Sequence, residues 1–259
     1  MRAIILAAGK GKRIDTISGA YPKCLLEVGG VSLIERQIGV LKSLGVDEIT
    51  VVIGFGGEHV RERCGRGVTY VENELHAETN SLYSLWLTRH LLGDGFVVLN
   101  ADVLFHKQML ANLLSSEHED ALLLSYQSRG TLGDEEMKVK VQDGRVVDIS
   151  KQMDPVDADG ENVGVVKFGP AGAALVIEKM NELVAAGNRK AWAPRAFQEF
   201  AAERPLRAIS TGDYPWIEID FPEDYRRAVE EIVPELGMTG EEFSEIRDPE
   251  VVLRRAVLR

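Results

Sequence analysis

The sequence predicts an α/β protein built on a mixed, mainly parallel sheet with helices on its faces. Through the first half of the chain, short apolar runs typical of strands alternate with segments whose apolar residues recur at the helical period. This alternation indicates parallel strands joined by crossover helices. After residue 136 the pattern becomes that of a hairpin, which predicts a small antiparallel elaboration of the sheet.

Each predicted strand of the first half is a short apolar run bounded by glycine or polar residues. These strands are 2–7, 48–53, 68–71, 95–99 and 121–126. Each predicted helix carries apolar residues on one face, and the first of them stops at Gly45, a common C-terminal signal. These helices are 33–44, 58–64, 81–92 and 107–115.

The second half combines one hairpin with further strands and helices. Asp143-Gly144 is the predicted turn between two alternating segments, 137–142 and 145–149. The further strands are 163–168, 206–210 and 216–219, and the further helices are 172–186, 193–202 and 222–232. We expect residues 1–232 to form one domain. The charged, amphipathic residues 233–259 are predicted to form a C-terminal helical appendage for packing or for a homo-oligomer.

Composition and charge exclude several classes of protein. Hydrophobic residues make up 45% and charged residues 27% of the chain, and no apolar run approaches the roughly 20 residues that span a bilayer. A net charge of −11 disfavours a large nucleic-acid surface. Cys24 and Cys64 suggest neither a disulfide framework nor a zinc site. We therefore expect a cytoplasmic protein that binds no membrane and no nucleic acid.

A glycine-rich, basic loop follows the first predicted strand. Glycine lets backbone amides approach a phosphate, and the basic side chains supply countercharge, so a triphosphate is one candidate ligand. A tight turn with solvated lysines is the alternative, and the spacing matches neither a Walker loop nor a dinucleotide-binding loop. The candidate nucleotide-binding residues here are Leu6, Ala7, Ala8, Gly9, Lys10, Gly11, Lys12 and Arg13.

A further lysine, Lys23, lies downstream of this loop beside the rigid Pro22. Two successive segments can then offer cations to one anionic ligand. This favours the triphosphate over the simple turn.

Two aspartates follow predicted strands that are far apart in the chain. Asp102 comes after strand 95–99, and Asp220 follows strand 216–219. Strand ends on one edge of a sheet would bring both carboxylates to one Mg²⁺ ion, which prefers oxygen ligands. Each aspartate alone is equally compatible with an N-cap of the next helix. Glu218 shares a side of the extended chain with Asp220 and is a third candidate.

Four of these segments, in this order, resemble the sugar-phosphate nucleotidyltransferase superfamily. They are Ala7 to Arg13, Pro22 to Leu25, Asn100-Ala101-Asp102 and Glu218-Ile219-Asp220. The resemblance implies a Rossmann-like fold of the glycosyltransferase-A type over roughly the whole 1–232 region. A further segment, Glu78 to Leu85, is similar to bacterial phosphocholine cytidylyltransferases and their phosphonate-specific relatives.

The resemblance implies a magnesium-dependent enzyme that moves a nucleoside monophosphate, with CTP favoured as its donor, onto a small phosphate or phosphonate. Arg13 and Lys23 would contact phosphates as catalytic residues, and Asp102 and Asp220 would hold Mg²⁺. The acceptor phosphate is anionic near neutral pH, so its oxygen can attack the α-phosphorus without a strong base. Positioning and charge neutralisation would then carry catalysis.

Three polar residues at 79–81 are further candidates for the nucleotide site. The resemblance implies that the nucleobase lies near the first loop and near Thr79, Asn80 and Ser81. Short polar side chains can read a base edge, but Asn80-Ser81 is equally a normal helix start.

The acceptor side has a set of aromatic residues that includes Trp86 and Trp192. Aromatic faces near carboxylates hold quaternary ammonium groups, whereas single large aromatics more often fill a core. By resemblance, Lys151 would contact the acceptor phosphate; the alternative is an ordinary exposed lysine. The candidate acceptor-binding residues are Tyr83, Lys151, Tyr214, Trp216 and Glu218.

Phosphocholine and 2-aminoethylphosphonate are the favoured acceptors. Transfer to a sugar 1-phosphate or an inositol phosphate is one alternative. A catalytically silent nucleotide-binding regulatory subunit is another, against which the intact set of Arg13, Lys23, Asp102 and Asp220 argues.

Overall fold

The structure, a computed structural model, describes residues 1–19, 21–126 and 132–236, apart from the side chains of Lys12 and Asp15. Most of the predicted appendage 233–259 lies outside the described residues. Among those described, no helix combines the length and apolarity that a membrane crossing requires.

The strands of the described residues are β1 Arg2–Ala7, β2 Glu27–Val28, β3 Val31–Ser32, β4 Ile49–Ile53, β5 Thr69–Glu72, β6 Phe96–Asn100, β7 Val103–Phe105, β8 Ala121–Ser125, β9 Lys138–Gln142, β10 Arg145–Ser150, β11 Gly160–Phe168, β12 Arg207–Ser210 and β13 Trp216–Glu218. Every strand predicted from the sequence is present. The chain also forms β2, β3 and β7, which are too short to show an apolar period.

The α-helices are α1 Asp15–Ser18, α2 Leu33–Ser43, α3 Gly57–Cys64, α4 Ser81–Leu87, α5 Lys107–Ser115, α6 Pro170–Ala185, α7 Pro194–Glu203, α8 Pro222–Arg227 and α9 Val233–Glu235. Short 3₁₀ turns occur at Lys12–Ile14, Lys23–Leu25, Arg89–Leu91 and Pro155–Asp157. Two predicted helices are shorter than expected. The helix from Ser81 gives way to 3₁₀ geometry, and the one from Pro222 continues as a π-helical turn, Ala228–Ile232. Pro234 lacks the N–H that would continue a regular α-helical ladder there.

Nine strands form one mixed sheet in the order β5-β4-β1-β6-β11-β8-β12-β10-β9. The first four of these are parallel, as expected for strands joined by crossover helices. The long β11 is antiparallel to β6, β8 and β9. The predicted α/β fold with a mixed sheet is confirmed, but the antiparallel part is larger than a hairpin because β11 pairs with three neighbours.

Helices cover both faces of the sheet. Ile5 of β1 belongs to a core with Ile38 of α2 and Leu110 of α5. Its neighbour Ile4 belongs to a second core, with Leu85 of α4 and other residues of α6 and α7. Successive residues of a strand point to opposite faces, so the apolar run of β1 serves both cores.

A third apolar cluster lies under the carboxyl edge of the sheet. It joins Ile14, Leu26, Leu104, Ile217 and Ala228, which come from the beginning, the middle and the end of the described chain. The cluster fixes the small β7–β13 sheet against the segment that follows the first loop. The carboxyl ends of β1 and β6, which pair through Leu6 and Asn100, lie beside it. This arrangement leaves a hollow at the strand ends.

We expect Gly172→Ala to destabilise the protein. A Cβ at Gly172 would lie 1.8 Å from Oδ1 of the buried Asp120, whose carboxylate accepts a 3.0 Å hydrogen bond from the Gly169 amide. Overpacking of this kind costs about 1–3 kcal/mol, although alanine is the better helix former by roughly 1 kcal/mol. Urea unfolding measures the difference. The exposed neighbour variant Ala171→Gly reports helix propensity alone, and a more stable Gly172→Ala protein would contradict the close contact.

Candidate active site

A cavity of about 500 Å³ opens at the carboxyl ends of β1 and β6. It contains most of the residues that the sequence singles out. The lining includes Leu6, Ala7, Ala8, Gly9, Gly11, Arg13, Lys23, Thr79, Asn80, Ser81, Asp102, Lys151, Trp192, Glu218 and Asp220. It also includes residues that sequence analysis did not single out, among them Asn73, Glu135, Met137, Asn162 and Pro194.

The loop after β1 presents the backbone of Gly9 and Gly11 to the cavity. A Cβ at Gly9 would meet nothing within 4 Å, so this side of the loop is open to a ligand. Gly11 has a φ of +70°, and a Cβ there would lie only 2.7 Å from Cβ of Lys23. Only glycine satisfies both conditions. Gly11 therefore allows the Lys23 side chain to pack against the loop.

Lys10, one of the loop's lysines, is not among the described residues that line the cavity. The Nζ atom of Lys10 lies 5.4 Å from the ring centroid of Phe55, a cation–π contact outside the lining. The side chain of Lys12 lies outside the described part of the chain.

Lys23 lies at the centre of the charged groups. Its side chain is 8% exposed, and its Nζ donates to Asp102 Oδ2 at 2.9 Å and also to Asp220 Oδ1. Burial alone would lower the pKa of Lys23, but the carboxylates of Asp102 and Asp220 outweigh it and raise the pKa above its usual value. Lys23 is therefore a fixed, fully charged ammonium group.

Three carboxylates converge beside Lys23. Oxygen atoms of Asp102, Glu218 and Asp220 lie within 4.8 Å of one another. Asp102 Oδ1 is buried and has no hydrogen-bond partner in the structure. Burial, followed by the charges of Asp102 and Asp220, raises the pKa of Glu218 to about 8. Such a cluster is unfavourable by itself and is the donor set that a hard divalent cation prefers.

The small β7–β13 sheet brings these carboxylates together. Val103 pairs with Glu218, and the Ile219 amide donates to the Asp102 carbonyl at 3.1 Å. The sequence pattern predicts strand ends on one large sheet, and that route is wrong, because β13 pairs with β7 outside the nine-stranded sheet.

The alternative of two helix caps is also excluded. The N-cap of α5 is His106. The N-cap of α8 is Phe221, and the carboxylate of Asp224 accepts hydrogen bonds from the amides of Asp220 and Phe221.

Arg13 connects the first loop to two acidic groups. Its guanidinium donates to Asp220 Oδ2 and to Glu135 Oε2, both at 2.5 Å, and lies 4.9 Å from the Phe221 ring centroid. Lys151 Nζ lies 3.6 Å from the same Glu135 oxygen. The hydrogen bond from Arg13, followed by its charge, lowers the pKa of Glu135. Glu135 is not apparent from the sequence, because nothing in the residues that precede β9 indicates where its carboxylate points.

A polar segment, residues 79–81, also lines the cavity. Asn80 is the N-cap of α4 and accepts from the Ser81 amide at 2.8 Å, so it both starts the helix and lines the cavity. The buried Asn73, missed in the sequence, donates to Thr79 Oγ1 and to Ser84 Oγ at 3.0 Å each. It immediately follows a strand, a position that could have drawn attention to it.

Three predicted acceptor-binding aromatics are not among the lining residues. Tyr83 stacks on Trp86 at 5.3 Å between ring centroids. Tyr214 stacks on His106 at 4.8 Å. Trp216 packs against the first core.

Trp192 does line the cavity and is 47% exposed. Lys151 Nζ lies 4.8 Å from its ring centroid. The indole face therefore already holds a cation in this structure.

Comparison with known proteins identifies similar chains. A curated choline-phosphate cytidylyltransferase of Streptococcus pneumoniae is 37% identical over 118 residues, which cover 44% of this chain and 50% of that protein. The chain spans about half the length, or less, of the first curated relatives that it matches.

Two solved structures match over most of their length. The CTP:phosphocholine cytidylyltransferase of Streptococcus pneumoniae has a TM-score of 0.75 and 27% identity, with 88% of this chain and 97% of that chain covered. The inositol-1-phosphate CTP transferase of T. maritima has a TM-score of 0.74 and 25% identity, with 95% and 96% covered. Residues 3–210 match the MobA-like NTP transferase domain. The chain therefore belongs to the family of MobA-like NTP transferase domains.

Proposed function

We propose that the protein transfers CMP from CTP to the phosphate or phosphonate of a small acceptor and releases pyrophosphate. One observation carries this proposal. Lys23, Arg13 and the carboxylates of Asp102, Glu218 and Asp220 converge in one cavity beside a loop of open backbone. The basic groups suit anionic phosphates, and the carboxylates suit a divalent cation.

The residues present fit Mg²⁺. Asp102 and Asp220 would hold the ion, with Glu218 beside them. The buried Asp102 Oδ1, which has no hydrogen-bond partner, is an oxygen that the ion could use. When bound, Mg²⁺ neutralises the negative charge that builds up on the phosphates during transfer.

The chain's own cations act on the phosphates. Lys23 is held in one orientation by its carboxylate partners, and we assign it to stabilising charge around the α-phosphate. The amides of the loop around Gly9 approach the triphosphate without steric hindrance. Arg13, at the mouth of the loop, contacts phosphate oxygens through its two-pronged guanidinium group.

The acceptor supplies its own nucleophile. A phosphate monoester or phosphonate oxygen is anionic at neutral pH and attacks the α-phosphorus directly, while pyrophosphate leaves with the bonding electron pair. The chain's task is to hold that oxygen in line with the leaving group. Lys151 and Arg13 both approach the same oxygen of the Glu135 carboxylate and are suited to orient the acceptor phosphate.

Two features bear on the identity of the substrates. Thr79, Asn80 and Ser81 present short polar groups beside the loop, as base recognition requires. The exposed indole of Trp192 would suit an acceptor that also carries an ammonium group, such as phosphocholine or 2-aminoethylphosphonate, once Lys151 turns from the ring to the acceptor phosphate. The similarity to an inositol-1-phosphate CTP transferase keeps an inositol phosphate as the second candidate.

We expect Mg²⁺-dependent release of pyrophosphate with CTP and a small zwitterionic phosphate or phosphonate. The measurement crosses four NTPs with phosphocholine, 2-aminoethylphosphonate, inositol 1-phosphate and glucose 1-phosphate, with and without EDTA. Highest turnover with inositol 1-phosphate would favour the second candidate. Nucleotide binding without any turnover would overturn the enzymatic proposal and favour a silent regulatory subunit.

Asp102→Asn should lower kcat by at least about 100-fold, because it removes a charged metal ligand while it preserves shape. Asp94→Asn, at an exposed position, is the matched control and should leave turnover unchanged. Mg²⁺ titration of the residual activity measures the effect. An unchanged magnesium requirement in Asp102→Asn would remove Asp102 from the metal site.

Lys23→Met should lower kcat by about 100-fold or more while it changes the KM for CTP less, because the missing charge acts mainly on the transition state. Lys42→Met, in the last turn of α2, controls for loss of a lysine elsewhere. Steady-state kinetics and thermal unfolding are measured together. If only KM rises, Lys23 is a binding residue and not a catalytic one.

A further inference from the structure

Arg13 and Lys151 form a two-cation site that already contains an anion. Arg13 donates to Glu135 Oε2 at 2.5 Å, and Lys151 Nζ lies 3.6 Å from the same oxygen. All three residues line the cavity. A side-chain carboxylate therefore occupies the position between the two cations.

Residues 133–138, which include Glu135, form a turn that is held by hydrogen bonds. Lys138 is 1% exposed, and its Nζ donates to the carbonyl groups of Gly133 at 2.5 Å and Glu136 at 3.4 Å. The carboxylate of Glu136 accepts from the Gly133 amide at 2.7 Å. These bonds close the turn through its backbone and through Glu136, whereas the Glu135 side chain points to Arg13 and Lys151. The conformation of residues 133–138 therefore directs Glu135 towards the two cations.

A phosphate and this carboxylate cannot share the two cations. A phosphate monoester carries up to two negative charges, and like charges at hydrogen-bonding distance repel strongly where solvent is partly excluded. The phosphate also offers more acceptor oxygens to the guanidinium than a single carboxylate oxygen does. When it binds between Arg13 and Lys151, Glu135 has to leave.

We propose that Glu135 is an internal competitor that occupies the acceptor-phosphate position between Arg13 and Lys151 until the substrate displaces it. The identity of the substrate in this inference rests on the proposed function, whereas the anion site between Arg13 and Lys151 does not. Competition from the Glu135 carboxylate lowers the affinity of every anion for this position by a similar factor. Phosphate and phosphonate dianions bind two cations more strongly than monoanions do and therefore keep a useful affinity. The contact also keeps Arg13 and Lys151 oriented in the free protein.

The test is a direct binding measurement that needs no turnover. Isothermal titration calorimetry with inorganic phosphate compares the wild type with Glu135→Gln, and Glu117→Gln, at an exposed position, is the matched control. Glu135→Gln should bind phosphate about threefold to tenfold more tightly, which corresponds to the loss of one or two exposed ion pairs. Glu117→Gln should bind like the wild type.

A double variant assigns the gain to this site. In Glu135→Gln with Lys151→Met, the gain in phosphate affinity should fall, because one of the two cations is missing. Unchanged or weaker phosphate binding in Glu135→Gln would overturn the proposal and make Glu135 a positioning residue for Arg13. A gain that persists in full without Lys151 would also overturn it.

Kinetics separate this inference from the proposed function. In an active enzyme, Glu135→Gln should lower the KM for the acceptor by a similar factor and leave its thermal stability unchanged. If no NTP and acceptor pair gives pyrophosphate while Glu135→Gln still binds phosphate more tightly, the proposed function fails and the competitor role stands. If turnover occurs and Glu135→Gln does not bind phosphate more tightly, the proposed function stands and the competitor role fails.

Discussion

The ammonium group of Lys23 is the interaction on which the site depends. An almost fully buried lysine is costly unless its charge is compensated, and here Asp102 and Asp220 compensate it. The same contact restrains two carboxylates that would otherwise repel each other and Glu218. One cation thus joins the segment after the first loop, the end of β6 and the segment after β13. The two contacts that neutralise the charge of Lys23 therefore also fix the positions of the Asp102 and Asp220 carboxylates.

The residues around Lys23 allow this arrangement of charges in two ways. Gly11 brings the loop so close to Lys23 that a side chain would collide with it. The third apolar cluster, with Leu26, Leu104 and Ile217, anchors the backbone on either side of the charged groups. Surface ion pairs contribute little to stability, and buried ones lose much of their Coulombic gain to desolvation. We therefore assign the anchoring of these segments to the apolar cluster and the orientation of the side chains to the ion pairs. Because the apolar cluster anchors the backbone, the charged side chains can exchange partners when a substrate binds.

Sequence patterns reveal the parts of this arrangement that are encoded locally. The glycine loop, Lys23, Asp102 and Asp220 stand beside predicted strands, and their residue types indicate their chemistry. Contacts made through tertiary pairing are not visible in this way. The pairing of β7 with β13 involves segments too short to have a period, and the direction of Glu135 depends on the buried Lys138. Residue type also misleads for aromatics: helical spacing does not tell which face of α4 meets the cavity, so Tyr83 resembles a ligand and instead stacks on Trp86.

The β7–β13 pairing has a consequence for how the protein matures during synthesis. The carboxylate of Asp102 leaves the ribosome early, whereas Glu218 and Asp220 emerge only near the end of the described chain. Contacts between such distant residues form late, because the intervening chain has to be ordered first. A partly synthesised chain that already has the parallel half of the sheet therefore lacks two of the three carboxylates. The carboxylate cluster that we propose holds the metal is complete only when nearly the whole domain has folded.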